Sequence, residues 1–481
     1  MTDTQALSRQ SPLVQALAHG LQGRIVLPSD ADYDDLRKPW LQVVDQHPAL
    51  IVEAASVADI VAAVNFARTE RLVLAVMSTG HGIAAPCDNG LLLHLSKMKQ
   101  ISVDVARRVA QVLPGVTSDE LLAATQPHGL VYAAGQVSGV GVIGYTLGGG
   151  MGWLVRKLGA ASWAVLGANV VLANGSVVHA SADTNPDLFW ALRGGGGNFG
   201  VVVSLEMALE PIPAVVGGEL YYPLDQAADL LRFYREWSSG LPDETSTIFR
   251  LLAIPPDDSS PPEIRGKTNC MIGLCHSDTE SADAVLEPLY RFRKPLLNTV
   301  KRQTVLDLAG LDLASHSPGS PTYGQVEFLK ALSDDVIDGL VQLAQTRIPP
   351  LMQIEVQQLG GALVHGATEQ GAFTPSAAPY LLHLVTPAIK APMAEIAKAT
   401  QEAFASLGDA YTGEAYYNFL RGDEQQRVTG AFGDTKYGRL REIKSRFDPA
   451  NSFHLNLNIE PASLSTTVRA EIFGTKAAEN S

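Results

Sequence analysis

The sequence predicts an α+β fold built as two units, and two observations carry that expectation. Glycines are numerous, 43 among 481 residues, and they crowd into three places: Gly80 and Gly82, Gly135 to Gly152, and Gly194 to Gly200. Around these loops, apolar runs of strand length alternate with helical patterns. Beyond the boundary Pro211-Ile212-Pro213 the glycine loops stop. Longer helices then take over, to about residue 410.

The elements follow in order. Ser56 to Arg71 reads as a helix, with Ser56 as cap, Asp59 in the first turn, and Val57, Ile60, Val61 and Val64 on one face. Leu72 to Met77 reads as a buried strand that delivers the loop Ser78-Thr79-Gly80-His81-Gly82. Leu91 to Leu95 and Arg108 to Leu113 are further strands, and Ser118 to His128 is a short helix. Val170 to Val178 is expected to be a hairpin turning on Asn174-Gly175, with both turn residues at positive φ. Pro186 to Arg193 is a helix and Val201 to Leu209 a strand. In the second unit, helices are expected at Asp225 to Ser238, Asp334 to Gln345 and Pro392 to Leu407, and strands at Ile248 to Ile254 and Tyr380 to Val385. From Glu414 the pattern gives a strand, a helical stretch from Glu424 to Phe447, and the segment Asn451 to Ile459. The last residues, 461–481, read as a loosely held tail.

Composition excludes several classes of function. With 36 basic and 50 acidic residues the net charge is 36 − 50 = −14, the wrong sign for a protein that neutralises phosphates along a nucleic acid or coats an anionic membrane. Hydrophobic content of 46% with 18% charged residues supplies a large core. Three cysteines (Cys87, Cys270 and Cys275) make no disulfide framework. The start of the chain has no basic stretch followed by an apolar one, and no apolar run is long enough to span a bilayer. The expectation is a cytoplasmic protein.

The glycine loops carry the chemistry. Gly139 to Gly144 matches GxGxxG, but Gly148-Gly149-Gly150-Met151-Gly152 follows closely and makes a poor helix. Ala160 to Leu172 contains no acid to hold a ribose, so a nicotinamide site of the doubly wound type is excluded by context. What remains is a nest, in which small residues let backbone N–H groups converge on an anion such as a pyrophosphate. No Walker A, HExxH, CxxC or GxSxG pattern is present, so neither a nucleotide hydrolase, a metal centre nor a serine hydrolase is expected.

Four segments together carry a resemblance. They are Ser78 to Gly82, Gly135 to Gly150, Asp187 to Gly200, and Asn456-Leu457-Asn458-Ile459. In this order and spacing the chain, from about residue 30 to 460, resembles the berberine bridge enzyme-like FAD-linked oxidases, a branch of the vanillyl-alcohol oxidase/p-cresol methylhydroxylase superfamily. The resemblance implies a two-subdomain FAD-binding domain over 1–213, a substrate-binding α+β domain over 214–412 lying on the flavin, and a segment, 413–460, that completes the first domain. It implies FAD contacts from Ser78, Thr79, Gly80, His81, Gly82, Val137, Gly139, Val140, Gly141, Gly144, Thr146, Gly148, Gly149, Gly150, Gly200, Val201, Val202, Asn456 and Asn458.

His81 matches the family histidine bonded to the flavin 8α-methyl group. Val137 stands where many members carry a second, cysteinyl link, so a single covalent link through His81 is expected. Val140 matches the family's gating position and is compatible with oxygen access. Tyr416-Tyr417-Asn418 matches a Tyr-x-Asn pattern, which points to Tyr416 as catalytic base or positioning group, with Tyr417 turned to the core by strand alternation. Tyr380, His383, His365 and Glu355 are weaker candidates around the site.

Two departures stand out. Trp163-Ala164 replaces a common Asp-Asn, and Ala372-Phe373 is followed by Thr374-Pro375-Ser376 where relatives often have His-Arg. The activity implied is oxidation of a C–OH or C–N carbon of a small organic molecule, with O2 as acceptor and H2O2 as product. A dehydrogenase of the same fold with another electron acceptor, and a flavin-retaining protein without turnover, are the alternatives. No nucleic acid, membrane or metal partner is expected, and the oligomeric state stays open.

Overall fold

Three sheets frame the chain in this computed structural model, which describes residues 8–311, 319, 321–346, 350–366, 370–388 and 391–462. The first sheet has four strands, β1 (Arg24–Val26), β2 (Leu50–Glu53), β3 (Leu74–Met77) and β4 (Leu91–His94), in the order β1-β2-β4-β3. β2, β4 and β3 run parallel, and the two inner strands β2 and β4 are buried throughout, so they read as continuous apolar runs. The helix Val57–Thr69 is the crossover, started by a capping box in which the Ser56 hydroxyl accepts from the Asp59 N–H at 3.2 Å.

The second sheet is antiparallel. It contains β5 (Ile101–Asp104), β6 (Val109–Val112), β7 (Val165–Val171), β8 (Val177–Ser181) and β9 (Val201–Ala208), ordered β5-β6-β9-β7-β8. β7 and β8 form the expected hairpin, but its turn differs from the sequence reading. Only Gly175 has positive φ, +82°, and the Gly175 N–H donates to the Leu172 carbonyl. Ala173-Asn174-Gly175 thus forms a three-residue turn ending in a left-handed glycine, because a bulge relieves the second positive φ.

The third sheet has eight antiparallel strands: β10 (Val215–Pro223), β11 (Thr245–Ala253), β12 (Thr268–His276), β13 (Leu297–Asn298), β14 (Lys301–Gln303), β15 (Thr322–Leu329), β16 (Gln353–Gln358) and β17 (Tyr380–Pro387). Seven lie in the order β13-β10-β12-β11-β16-β17-β15, and β14 also pairs with β10. Residue parity decides what each face does. Phe249, Leu251, Ile354, Val356, Leu382 and Leu384 pack against the helices Ala227–Ser239, Asp334–Thr346 and Met393–Ala405. The intervening residues Arg250, Gln353, Glu355, Gln357, His383 and Val385 face inward.

The strand expected from Glu414 is absent. Tyr411 makes a single bridge to Leu329 at the end of β15, Gly413 then turns with φ +83°, and Tyr417–Phe419 forms one 3-10 turn. A left-handed glycine lifts the chain off the sheet edge, which ends the pairing. The helical stretch expected from Glu424 is likewise broken into two 3-10 turns, Gly422–Arg427 and Thr429–Ala431, before the helix Gly433–Phe447. The expected tail lies outside the described residues beyond Ala462. Among the described residues no helix is long and apolar enough to cross a membrane, and no group of three His, Cys, Asp or Glu side chains could hold a metal ion.

Candidate active site

The inward face of the eight-stranded sheet and the glycine loops enclose one large cavity of about 520 Å³. Its floor is built from the loop after β3. Gly80 has φ +77°, and a Cβ there would stand 2.6 Å from the Pro39 Cα, so only glycine lets the loop pass this close to residues 39–41. Trp40 and Leu41 N–H groups donate to the Thr79 and Gly80 carbonyls at 3.0 and 3.2 Å. Trp40 then stacks on His81, with ring centroids 4.2 Å apart and planes 14° apart. His81 Nδ1 lies 2.9 Å from the Thr79 hydroxyl. Burial pushes the His81 ring down to about 4, so the imidazole is neutral at pH 7.

Most of the sequence-predicted residues meet at this cavity. Ser78, Thr79, Gly80, His81, Gly82, Val137, Val140, Gly141, Gly144, Gly148, Gly200, Val201, Val202, Asn456 and Tyr416 all line it. Five do not. Gly139 donates its N–H to Asp119 outside the cavity, and Thr146 is fully buried on the helix Val142–Leu147. Gly149 packs under Phe373, Gly150 against Tyr145 and Ala161, and the Asn458 backbone is clasped by the Gln425 amide. Their glycines and amides serve the close packing of the loops. Among the four weaker candidates, Glu355 and His383 reach the cavity. Tyr380 has even parity and sits among the helices, with its hydroxyl 3.3 Å from Ser238, while His365 is exposed on a short helix.

Residues that sequence reasoning did not single out complete the lining. Trp40, Gln136, Asn198, Arg250, Gln353, Gln357 and Arg421 all contribute. Asn198 was within the quoted motif, and parity along β16 would have found Gln353 and Gln357. Nothing near Trp40 in sequence signals its stack on His81.

Two tyrosines diverge at the cavity wall. The Tyr416 hydroxyl accepts from the Met151 N–H at 3.1 Å and from the Asn418 amide at 3.2 Å. Burial nevertheless pushes Tyr416 up to about 12, so it is a phenol at neutral pH. Tyr417 donates to the Leu457 carbonyl at 2.9 Å and accepts from Asn198 at 2.9 Å. It is a core tether as expected, although a 3-10 turn and not strand alternation separates it from Tyr416. The sheet face supplies charge. Arg250 Nε is 2.5 Å from Glu355 Oε2, both side chains are under 10% exposed, and Gln353 donates to the same carboxylate oxygen at 3.1 Å.

His383 stands beside this pair, its ring pushed down to about 3, first by burial and then by the charges of Arg421 and Arg250. The unfolded ring titrates near 6.5, so between about pH 3 and 6.5 the unfolded chain binds a proton that the folded chain does not. Stability contributed this way rises with pH through that window. The urea midpoint is therefore expected to fall as pH drops from about 7 to 4.5, and to fall less in His383→Gln.

The geometry fits an elongated anionic ligand. The N–H groups of Thr79, Gly80, His81 and Gly82 donate to no protein acceptor among the described residues, and the Ser78 hydroxyl is buried without a partner at the cavity wall. A Cβ placed on Gly82, Gly144 or Gly197 meets nothing within 4 Å, so ligand-sized space lies directly over the backbone. Gly144→Val puts a branched side chain into that space at little cost to its helix. The variant is expected to fold with an unchanged denaturation midpoint yet to purify without the yellow absorbance of bound flavin.

Comparison with known proteins specifies the ligand. A family model described as an FAD binding domain matches residues 48–181, and one described as berberine and berberine like matches residues 415–460. An FAD-linked oxidoreductase of Dictyostelium discoideum is 27% identical over 463 residues, covering 93% of this chain and 97% of that protein. The (R)-6-hydroxynicotine oxidase of Paenarthrobacter nicotinovorans is 27% identical over 452 residues, covering 92% and 97%. Among solved structures, 6-hydroxy-D-nicotine oxidase from Arthrobacter nicotinovorans superposes with a TM-score of 0.82 at 24% identity, covering 94% of this chain and all of that one. Xylooligosaccharide oxidase from Myceliophthora thermophila gives 0.79 at 22%, covering 94% and 99%. The unpartnered N–H groups, the Ser78 hydroxyl and the open glycine faces fit FAD.

Proposed function

We propose that this chain, which matches an FAD binding domain and a berberine-like segment, is a berberine bridge enzyme-like FAD-linked oxidoreductase, and on that premise that it is an oxidase of a small organic molecule, acting at a C–OH or C–N carbon. FAD, when bound, supplies the two-electron acceptor between that carbon and O2. The donor C–H bond breaks with its electron pair as hydride, the O–H or N–H proton leaves to the protein, and O2 ends as H2O2. The observation that carries this reading is that the buried carboxylate of Glu355, on the inward face of the eight-stranded sheet, and the buried phenol of Tyr416, from the segment after that sheet, line the same cavity as the glycine loops.

Glu355 is the proton acceptor in this reading. Its carboxylate is held by Arg250 and Gln353 and faces the cavity. Tyr416 is the positioning group. As a phenol whose oxygen already accepts two N–H bonds, it has its own hydrogen left to donate to a substrate heteroatom. Val140 keeps the cavity wall small where O2 would approach. His81 carries the covalent link. It is neutral, stacked by Trp40 and held at Nδ1 by Thr79, which leaves an oriented nucleophilic ring. Val137 at the cavity offers no second sulfur link. Cys87 lies outside it, and burial pushes its thiol up to about 12.

The test is a panel of alcohols and amines under air with coupled detection of peroxide, run beside dye reduction under nitrogen. Peroxide equal to the donor consumed is the expected result. Dye reduction without peroxide would make the protein a dehydrogenase, and a flavin spectrum that no donor bleaches would make it a binder. Glu355→Gln is expected to lower kcat about 100-fold or more while the flavin content stays at the wild-type level.

A further inference from the structure

We propose, on the oxidase reading above, that the substrate is a hydroxy acid: an alcohol whose carboxylate is held by Arg421 at the sheet end of the cavity. The charge count of the cavity wall carries this. Among its described lining residues the acidic side chain is Glu355 and the cationic ones are Arg250 and Arg421. Glu355 is engaged by Arg250. Arg421 uses Nε on the Gly324 carbonyl at 3.0 Å and has no carboxylate partner for its side chain among the described residues. The neighbouring acids make their direct contacts elsewhere, Glu424 with Arg427 at 2.6 Å and Asp423 with the Tyr323 hydroxyl at 3.1 Å, and act on Arg421 only through space.

A buried arginine set into a cavity wall without a direct carboxylate contact gains from a ligand that supplies one. A carboxylate matches it best, because the guanidinium edge offers parallel N–H donors. A second group points the same way. His383 Nε2 is buried with no hydrogen-bond partner. A point 2.5 Å from that nitrogen, where a Cβ on Gly324 would stand, is also 3.3 Å from Arg421 Nη2. The unpartnered ring nitrogen and the guanidinium therefore flank one spot on the wall. Met352, Val385, Phe419 and Leu420 line the cavity nearby and suit an apolar body. The same excess of positive side chains on the described cavity wall, Arg250 and Arg421 against Glu355, disfavours a protonated amine, which selects the C–OH branch of the proposed chemistry over the C–N branch.

The test titrates the flavin-loaded protein with benzoate and with phenylacetate, each against its primary amide, and follows the saturable change in flavin absorbance. Each acid is expected to bind about tenfold tighter than its amide. The preference should weaken as salt rises, and Arg421→Gln should reduce it to within about threefold. Equal or tighter binding of the amides, binding of neither acid, or a preference that survives in Arg421→Gln with full flavin content would each overturn the proposal. If Arg421→Gln loses its flavin, the acid-to-amide ratio of the wild type and its salt dependence decide. Failure of the oxidase reading shows separately, as absence of peroxide from every donor while the acid preference stands.

Discussion

Wild-type protein, denatured and freed of loose cofactor, is expected to weigh one FAD more than its sequence, and His81→Ala is expected to lose that increment completely. The expectation rests on three contacts that act on one ring. Trp40 stacks on it, Thr79 fixes Nδ1, and burial keeps it neutral. A nucleophilic nitrogen needs its lone pair free, and a ring pushed down to about 4 has it free at every pH above about 5. The yield of linked flavin is therefore expected to be level from about pH 5 to 8 and to drop only as the pH approaches that value. Thr79→Val, which removes the hydroxyl partner and keeps the shape, should lower the linked fraction without releasing the ring from Trp40. His81→Ala should still take up FAD reversibly, because the N–H groups that cradle it are backbone groups. An unchanged mass in the wild type would remove the covalent link and leave the fold and cofactor in place.

Lys444→Met is expected to destabilise the protein by about 3–5 kcal/mol, the range for breaking a buried ion pair from one side. Lys444 and Asp448 have no exposed side-chain surface, and their charges meet at 2.6 Å. The ammonium also donates to the Asn198 carbonyl at 2.6 Å and the Phe453 carbonyl at 3.0 Å, and Asp448 accepts from the Ser452 and Phe453 N–H groups. Methionine fills the same volume but leaves the carboxylate uncompensated in the interior. The loss should reach the active site, because Asn198 carries the C-terminal segment. Its amide bonds Tyr417 and the Leu457 carbonyl and accepts from the Ile459 N–H. Asn456, one residue before Leu457, holds the Ala84 N–H beside the His81 loop. A reduced urea midpoint together with weakened flavin retention is the expected pair of readings. A midpoint within about 1 kcal/mol of wild type would show that the pair contributes little beyond what a packed apolar side chain supplies.

The parts of the site that could be read in the sequence are those whose demands are local. A left-handed backbone that must pass against residues 39–41 requires glycine at Gly80, and a loop whose N–H groups stay free for a ligand requires small neighbours, so both leave a mark in a few adjacent letters. The same locality gave the helix capped at Ser56 and the β7–β8 hairpin. The error at Glu414 has the opposite origin. A β-like run of residues became a strand only in expectation, because Gly413 turns it away from the edge of β15.

The sequence by itself determined the glycine loops, the histidine among them and the change of texture at about residue 215. Only the tertiary structure decided that His383 and Glu355 face the cavity while Tyr380 faces helices, that Trp40 stacks on His81, and that the Arg421 side chain reaches the cavity wall bonded to the Gly324 carbonyl. The physical reason is that alternation along a strand defines two faces without saying which one is covered. That choice is made by partners distant in the chain, such as the Met151 N–H that meets the Tyr416 hydroxyl across 265 residues.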